Sequence, residues 1–242
     1  MTGPTATVLV AESLRFLLPS RYRDGAATVP IDGSASLIHV VETLGVPRTE
    51  FGEPRVNGRP ADRTVLLRDG DVVEVPPRPR PEPLADPRFV LDVHLGTLAR
   101  RLRLLGIDAA YRNDADDDEL VAQAAGERRV LLTQDRGLLR RRALPAGGYV
   151  RGQRPDDQLA DVLDRYAPPL HPWTRCLSCN GRLSSVAKGD VEHLLPAGTR
   201  KSYVEFSRCR DCGRVYWRGA HADRLSQIVA GAAGEPRPPK LR

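Results

Sequence analysis

Four cysteines stand in two short runs, RCLSCNGRL with Cys176 and Cys179, and RCRDCGRVYW with Cys209 and Cys212. Each run sets two thiolates three residues apart, with a small or turn-forming residue after the second, the shape of a tight knuckle whose sulfurs converge. Two such knuckles, separated by 29 residues of partly β character, supply four thiolate ligands and leave no open position for catalysis. The predicted cofactor is structural zinc in a zinc ribbon. A redox pair, a rubredoxin-like iron site and disulfides are the rivals, and two matched knuckles in a chain without secretory features argue against all three. Few apolar residues lie in this segment, so the metal should also stabilise its folding.

A second set of residues is acidic. Asp92 closes the run RFVLD, Asp135 follows VLLT by two residues, and Asp114, Asp116, Asp117, Asp118 and Glu119 stand at the entrance to the helix between them. In an open parallel sheet, ligands bind beyond the carboxyl ends of the strands, so one face could gather three or more carboxylates. Crowded carboxylates repel one another and either raise their pKa values or hold a cation. Mg²⁺ or Mn²⁺ suits such oxygen ligands and supports in-line displacement at a phosphodiester. The plain alternative is that Asp92 and Asp117 cap helices and the acidic run is a solvated loop. His94, two residues beyond Asp92, could act as a base or donate a hydrogen bond to a phosphate, although a histidine there more often packs at a helix start.

These carboxylates need a sheet beneath them. RFVLD reads as a strand, Leu95, Leu98, Ala99, Leu102 and Leu105 recur at helical spacing, and Gly106 ends the helix. Further strands are predicted at 107–111, 130–133 and 149–150, with helices at 117–125, 136–142 (short and basic) and 156–166. Strands joined by helices of this length imply an α/β domain, a parallel sheet covered on both faces. Upstream, apolar alternation over 7–17 and 27–31 brackets a helical pattern at Ile38, Val41 and Leu44, which Ser34 can cap and Gly45 can end. Asn57-Gly58 and Asp69-Gly70 then separate short β runs that finish in DVVEV. Six prolines among residues 76–87 favour a stiff, extended connector. The predicted divisions are a first domain at 1–76, a linker at 77–87, the α/β domain at 88–170, the zinc ribbon at 171–228 and a disordered tail at 229–242.

The first domain, with GVPRTEFGEPRVNGRP and LLRDGDVVEV, resembles the ubiquitin-like β-grasp sulfur carriers of thiamin and molybdopterin synthesis. Those carriers need a free Gly-Gly end, whereas this chain continues as PPRPRPEP, so docking to a protein partner or a structural role is expected instead. The stretch from RFVLDVHLGTLARR to VLLTQDRGLLRRR resembles the Mut-seven C-terminal RNase family, a branch of the PIN-like nucleases. That likeness extends through the zinc segment to residue 228, and family members often carry the ubiquitin-like domain in front. It implies a PIN-like fold and a metal-dependent ribonuclease. By position it makes Asp92 the first-strand acid, Asp117 the middle acid at the start of DDEL, and Asp135 the acid of a T-x-D element beside Thr133, together holding Mg²⁺ or Mn²⁺. Asp116 and Asp118 flank the middle position. Where the family usually has Met, an aromatic and a basic residue, this chain has His94, Arg101 and Gln134.

The 242 residues carry a formal net charge of +6, and residues 171–225 alone hold ten Lys or Arg against five Asp or Glu. A basic C-terminal face is therefore expected. Trp173, Tyr203, Phe206, Tyr216 and Trp217 are interleaved there with Arg175, Arg182, Lys201, Arg208, Arg210, Arg214 and Arg218. Bases stack on aromatics while Arg neutralises phosphate, unless the aromatics simply form the ribbon's small core. Arg136, Arg140, Arg141 and Arg142 follow Asp135 and either guide RNA to it or form a solvated face. His221 is expected to be structural rather than a fifth ligand. With neither a run of eighteen apolar residues nor a signal-peptide pattern, a soluble cytoplasmic protein without membrane association is expected. The expected function is hydrolysis of RNA phosphodiester bonds, with the ribbon aiding RNA binding; the alternative is a non-catalytic RNA-binding or protein-adaptor module.

Overall fold

Strand β1 (Thr5–Val10) alternates as predicted, turning Ala6, Val8 and Val10 inward. It pairs antiparallel with β2 (Ala26–Pro30) and parallel with β5 (Val72–Val75). With β3 (Arg55–Val56) and β4 (Arg59–Pro60) the sheet order is β2-β1-β5-β3-β4. Helix α1 (Leu37–Thr43) packs Leu37, Val40 and Val41 into a core with Val8, Leu17, Phe51 and Val73, completing a β-grasp fold. The strand expected over 7–17 stops at Val10, because residues 12–17 wind into a 3₁₀ helix whose i, i+3 spacing buries Leu14 and Leu17 on one side. Ser36 rather than Ser34 caps α1, while Ser34 bonds the Asp32 carboxylate at 2.8 Å. Gly45 ends the helix region at φ 107°, where a Cβ would lie 2.8 Å from the Leu17 carbonyl oxygen.

The structure, a computed structural model, describes residues 3–82, 84–217 and 222–232. The proline-rich connector begins tied to the β-grasp domain: Pro77 bridges Phe51, and Arg78 donates to the Thr49 carbonyl at 2.8 Å and pairs with Glu82 at 2.6 Å.

Beyond the connector the chain is α/β with parallel strands. β6 (Arg88–Leu91) runs parallel to β7 (Asp108–Tyr111), and β8 (Val130–Thr133) runs parallel to β9 (Gly147–Tyr149). Helices α2 (Gly96–Leu104), α3 (Asp117–Gly126) and α4 (Pro155–Tyr166) flank them. The predicted basic helix at 136–142 is only a 3₁₀ turn, Leu138–Arg140, which buries Leu138 and Leu139 beneath β9. Gly147 makes that packing possible, since a Cβ there would meet Leu139 at 2.7 Å.

Two compact units emerge: Met1–Glu82 with Asp117–Tyr149, and Pro83–Asp116 with Val150–Arg242. The first thus combines the whole β-grasp domain with α3, β8 and β9, a grouping the linear order does not suggest.

In the second unit, β10 (Leu183–Val186), β11 (Phe206–Cys209) and β12 (Val215–Trp217) form an antiparallel ribbon over a core of Val191, Leu195 and Phe206. Short helices α5 (Lys188–Val191) and α6 (Ala197–Ser202) fill the excursion between β10 and β11. Helix α7 (Ala222–Ala232) continues four residues into the segment expected to be a tail; residues 233–242 lie outside the described residues. Among the described residues, no helix is long and apolar enough to cross a membrane.

Candidate functional site

The cysteine knuckles repeat one backbone design. Cys176 N–H donates to Gly181 O at 2.8 Å and Asn180 N–H returns to Cys176 O at 3.0 Å; Cys209 N–H donates to Arg214 O at 2.9 Å and Gly213 N–H to Cys209 O at 3.1 Å. Closing each turn needs a left-handed residue four positions after the first cysteine, supplied by Asn180 and Gly213, both at φ 72°. The four sulfurs lie within 4.8 Å of one another, with Cys176–Cys212 at 3.7 Å and Cys179–Cys209 at 3.4 Å. Disulfides are excluded at such distances. Zn–S bonds of about 2.3 Å in a tetrahedron give sulfur–sulfur edges of about 3.8 Å, so the quartet fits a metal ion such as zinc.

Electrostatics points the same way. Burial pushes the Cys176 thiol up, but the Tyr216 hydroxyl at 3.0 Å and the amides of Cys179 and Ser178 outweigh it and hold the thiol at about 6. Burial and the neighbouring sulfurs push Cys179 up to about 12, against the Gly181 amide. A central dication would neutralise the thiolate charge that four such ligands bring together.

The first knuckle is bolted to β7. Arg103, only 2% exposed at the end of α2, donates to Ala109 O at 2.8 Å, Ser178 O at 2.8 Å and Leu177 O at 3.1 Å. Burial pulls its guanidinium down, while the Cys176 and Cys179 charges oppose that shift. Asn180 accepts from Ala109 N–H at 3.1 Å and donates to Asp108 at 2.8 Å, and Asp108 pairs with Arg175 at 2.9 Å. Sequence reasoning missed Arg103, although its place four residues after Ala99 sets it on the buried stripe of α2. We expect Arg103→Met to strand three carbonyls at about 1 kcal/mol or more apiece, lowering unfolding stability by about 3 kcal/mol. Denaturant titration measures this, and a loss under about 0.5 kcal/mol would contradict the role.

The ribbon's aromatics divide. Phe206 is buried in the core and Tyr216 is committed to Cys176. Trp173 and Trp217, the latter 36% exposed, line a groove of about 380 Å³ with Val204 and Leu177. Arg175 and Arg208 are spent on Asp108 and on the Gly213 carbonyl. Arg218 and His221 lie outside the described residues.

The carboxylates lie at element ends. Asp92 follows β6 directly, is 9% exposed, and stands at the N-cap of a 3₁₀ turn (Val93–Leu95) without capping it through its side chain. Tyr111, at the end of β7, donates to Val93 O at 2.9 Å and holds that turn; Gly96 leaves room for its ring, since a Cβ would meet the hydroxyl at 2.7 Å. His94 is exposed within the turn. Asp117 is exposed at the first turn of α3, and its neighbour Asp118 is paired with Arg141. Asp135 lies just past β8 on an exposed loop: its N–H donates to Thr133 Oγ1 at 2.8 Å, while its Oδ1 accepts from Gly137 N–H at 2.6 Å and Leu138 N–H at 3.4 Å. Asp135 Oδ1 thus caps its own turn, a role the capping alternative had assigned to Asp92 and Asp117.

The family model described as Mut7-C RNAse domain matches residues 87–229, more than half of the chain. This chain belongs to the Mut7-C RNase family. A second model, Mut7-C ubiquitin, matches residues 3–83, so the family's ubiquitin-like domain precedes the nuclease-like one here. No curated protein and no solved structure gave a match. Within the Mut7-C domain, Arg101 pairs with Asp156 of α4 at 2.6 Å. Arg136 and Arg140, a candidate guide for RNA, instead direct their guanidinium groups to the Leu17 and Glu42 carbonyls at 2.6 and 3.1 Å.

Proposed function

We propose that this Mut7-C protein is a Mg²⁺- or Mn²⁺-dependent ribonuclease in which Asp92, Asp117 and Asp135 hold the ion. Membership of the RNase family over residues 87–229 carries the reading. Two of its acids follow the carboxyl ends of parallel strands, where open α/β sheets bind ligands. The donors suit the group, since carboxylate oxygens are the ligands these hard cations take. When bound, the ion supplies an activated water and charge stabilisation at the phosphate. The residues' part is positional: Tyr111 fixes the turn after Asp92, and Thr133 together with the Gly137 and Leu138 amides fixes Asp135. Cys176, Cys179, Cys209 and Cys212 hold structural zinc, and the ribbon aids RNA binding by offering Trp173 and Trp217 as stacking surfaces. The domain divisions at 1–76, 88–170 and 171–228 stand as part of this reading.

The test is cleavage of single-stranded RNA in Mn²⁺ by the full chain and by Asp135→Asn. The amide keeps a carbonyl oxygen for the Gly137 and Leu138 bonds yet loses the anionic ligand, so cleavage should fall by about 10² or more while the fold persists. Unchanged cleavage rejects the assignment, and RNA binding that survives EDTA without any cleavage would favour a non-catalytic binding module.

A further inference from the structure

The Asp135 loop is exposed on all three of Asp135, Arg136 and Gly137, a setting in which loops usually move. Its local restraints are the Thr133 hydroxyl and its own turn amides. Yet two of the arginines that follow the acid, Arg136 and Arg140, reach the β-grasp domain. Arg136 donates to Leu17 O at 2.6 Å, Arg140 donates to Glu42 O at 3.1 Å, and Arg48 returns a bond to Arg140 O at 3.2 Å. Farther along, Glu50, 3% exposed, accepts from the N–H of Tyr149 at the end of β9 at 2.9 Å, and the Tyr149 ring lies 5.3 Å from Phe16.

The anchoring side is rigid. Leu17 is fully buried, and Glu42 belongs to α1 and pairs with Arg48 at 2.9 Å. The 48–52 loop that presents Arg48 and Glu50 is clamped by Arg63, which donates to Arg48 O at 3.0 Å and Phe51 O at 2.8 Å, and by Arg78 on Thr49 O at 2.8 Å.

We propose that the ubiquitin-like domain is an intramolecular brace that holds the Asp135 loop in place, with Arg136, Arg140 and Glu50 as positioning residues. The catalytic part of this proposal rests on the ribonuclease reading; the mechanical part does not. A displacement of about 1 Å in a catalytic group can lower a rate about 10²-fold, so a brace on such a loop acts on turnover rather than on RNA affinity. It also gives a β-grasp domain that lacks a carrier's free Gly-Gly end a role within its own chain.

The experiment compares full-length protein with Arg136→Met/Arg140→Met, whose replaced residues are exposed, and with Glu50→Ala, which removes no positive charge that could hold phosphate. Amide exchange over 134–141 is read alongside kcat and KM for RNA cleavage in Mn²⁺. Both variants should exchange about tenfold faster over that loop, and kcat should fall about tenfold with KM within about twofold. Arg136→Lys/Arg140→Lys, which keeps donors, should recover part of the kcat. The brace is overturned if loop exchange is unaltered, or if only the arginine variant is impaired and the loss lies in KM. Should the unmodified chain cleave no RNA in either metal, the ribonuclease reading fails while accelerated loop exchange still upholds the brace.

Discussion

Chelating the four-cysteine centre is expected to release about one zinc per chain and to melt residues 171–217. The ribbon's own core is Val191, Leu195 and Phe206, with only Val186, Tyr203 and Val215 packed partly against it. Three buried side chains at about 1.5–3 kcal/mol each cannot order a segment of this length. Structural zinc in small domains binds with about 10–16 kcal/mol, and that energy is folding energy. Loss should spread to the end of α2, because Arg103 bonds the carbonyls of Leu177 and Ser178 between the first two ligands. Zinc release and amide protection across β10–β12 measure it together, and Cys209→Ser should reproduce the effect without chelator. A stripped chain that keeps those amides protected would mean the thiols do not carry the ribbon.

Asp92→Asn should lower kcat/KM for RNA cleavage about 10³-fold, about 4 kcal/mol in transition-state stabilisation, with stability changed by less than about 0.5 kcal/mol. The substitution separates two roles that Asp can play at an N-cap. Asn caps a helix as well as Asp does, so a capping role would survive it. A neutral amide is a poor ligand for a hard dication, so a ligand role would not. Asp92 does not cap its turn through its side chain, which already favours the second role. Because ligands of one ion act as a unit, adding Asp135→Asn should lower the rate little further. Cleavage within about tenfold of the unmodified chain would remove Asp92 from the site.

The knuckles were legible because everything that shapes them is local. Cysteine spacing, the residue four places on and the turn it permits all lie within a few positions, and the sulfurs converge as the spacing predicts. Strand and helix order was legible for the same reason, since burial repeats with the period of each element. Errors fell where two local signals competed. Residues 12–17 fit a strand by the alternation of Leu14 and Phe16 yet form a 3₁₀ helix, and basic residues 136–142 fit a helix yet form one turn because Leu138 and Leu139 must go beneath β9.

By itself the sequence determined the β-grasp, α/β and ribbon elements, the four converging cysteines and the family. Tertiary structure alone decided what Arg103, Arg136, Arg140 and Glu50 do, through bonds such as Arg136 to Leu17 and Glu50 to Tyr149, which join residues 119 and 99 positions apart. Nearly all of these partners are backbone groups, and the physical reason follows from that. Every residue offers a carbonyl and almost every one an N–H, so a side chain that binds main chain leaves no mark on the identity of its partner.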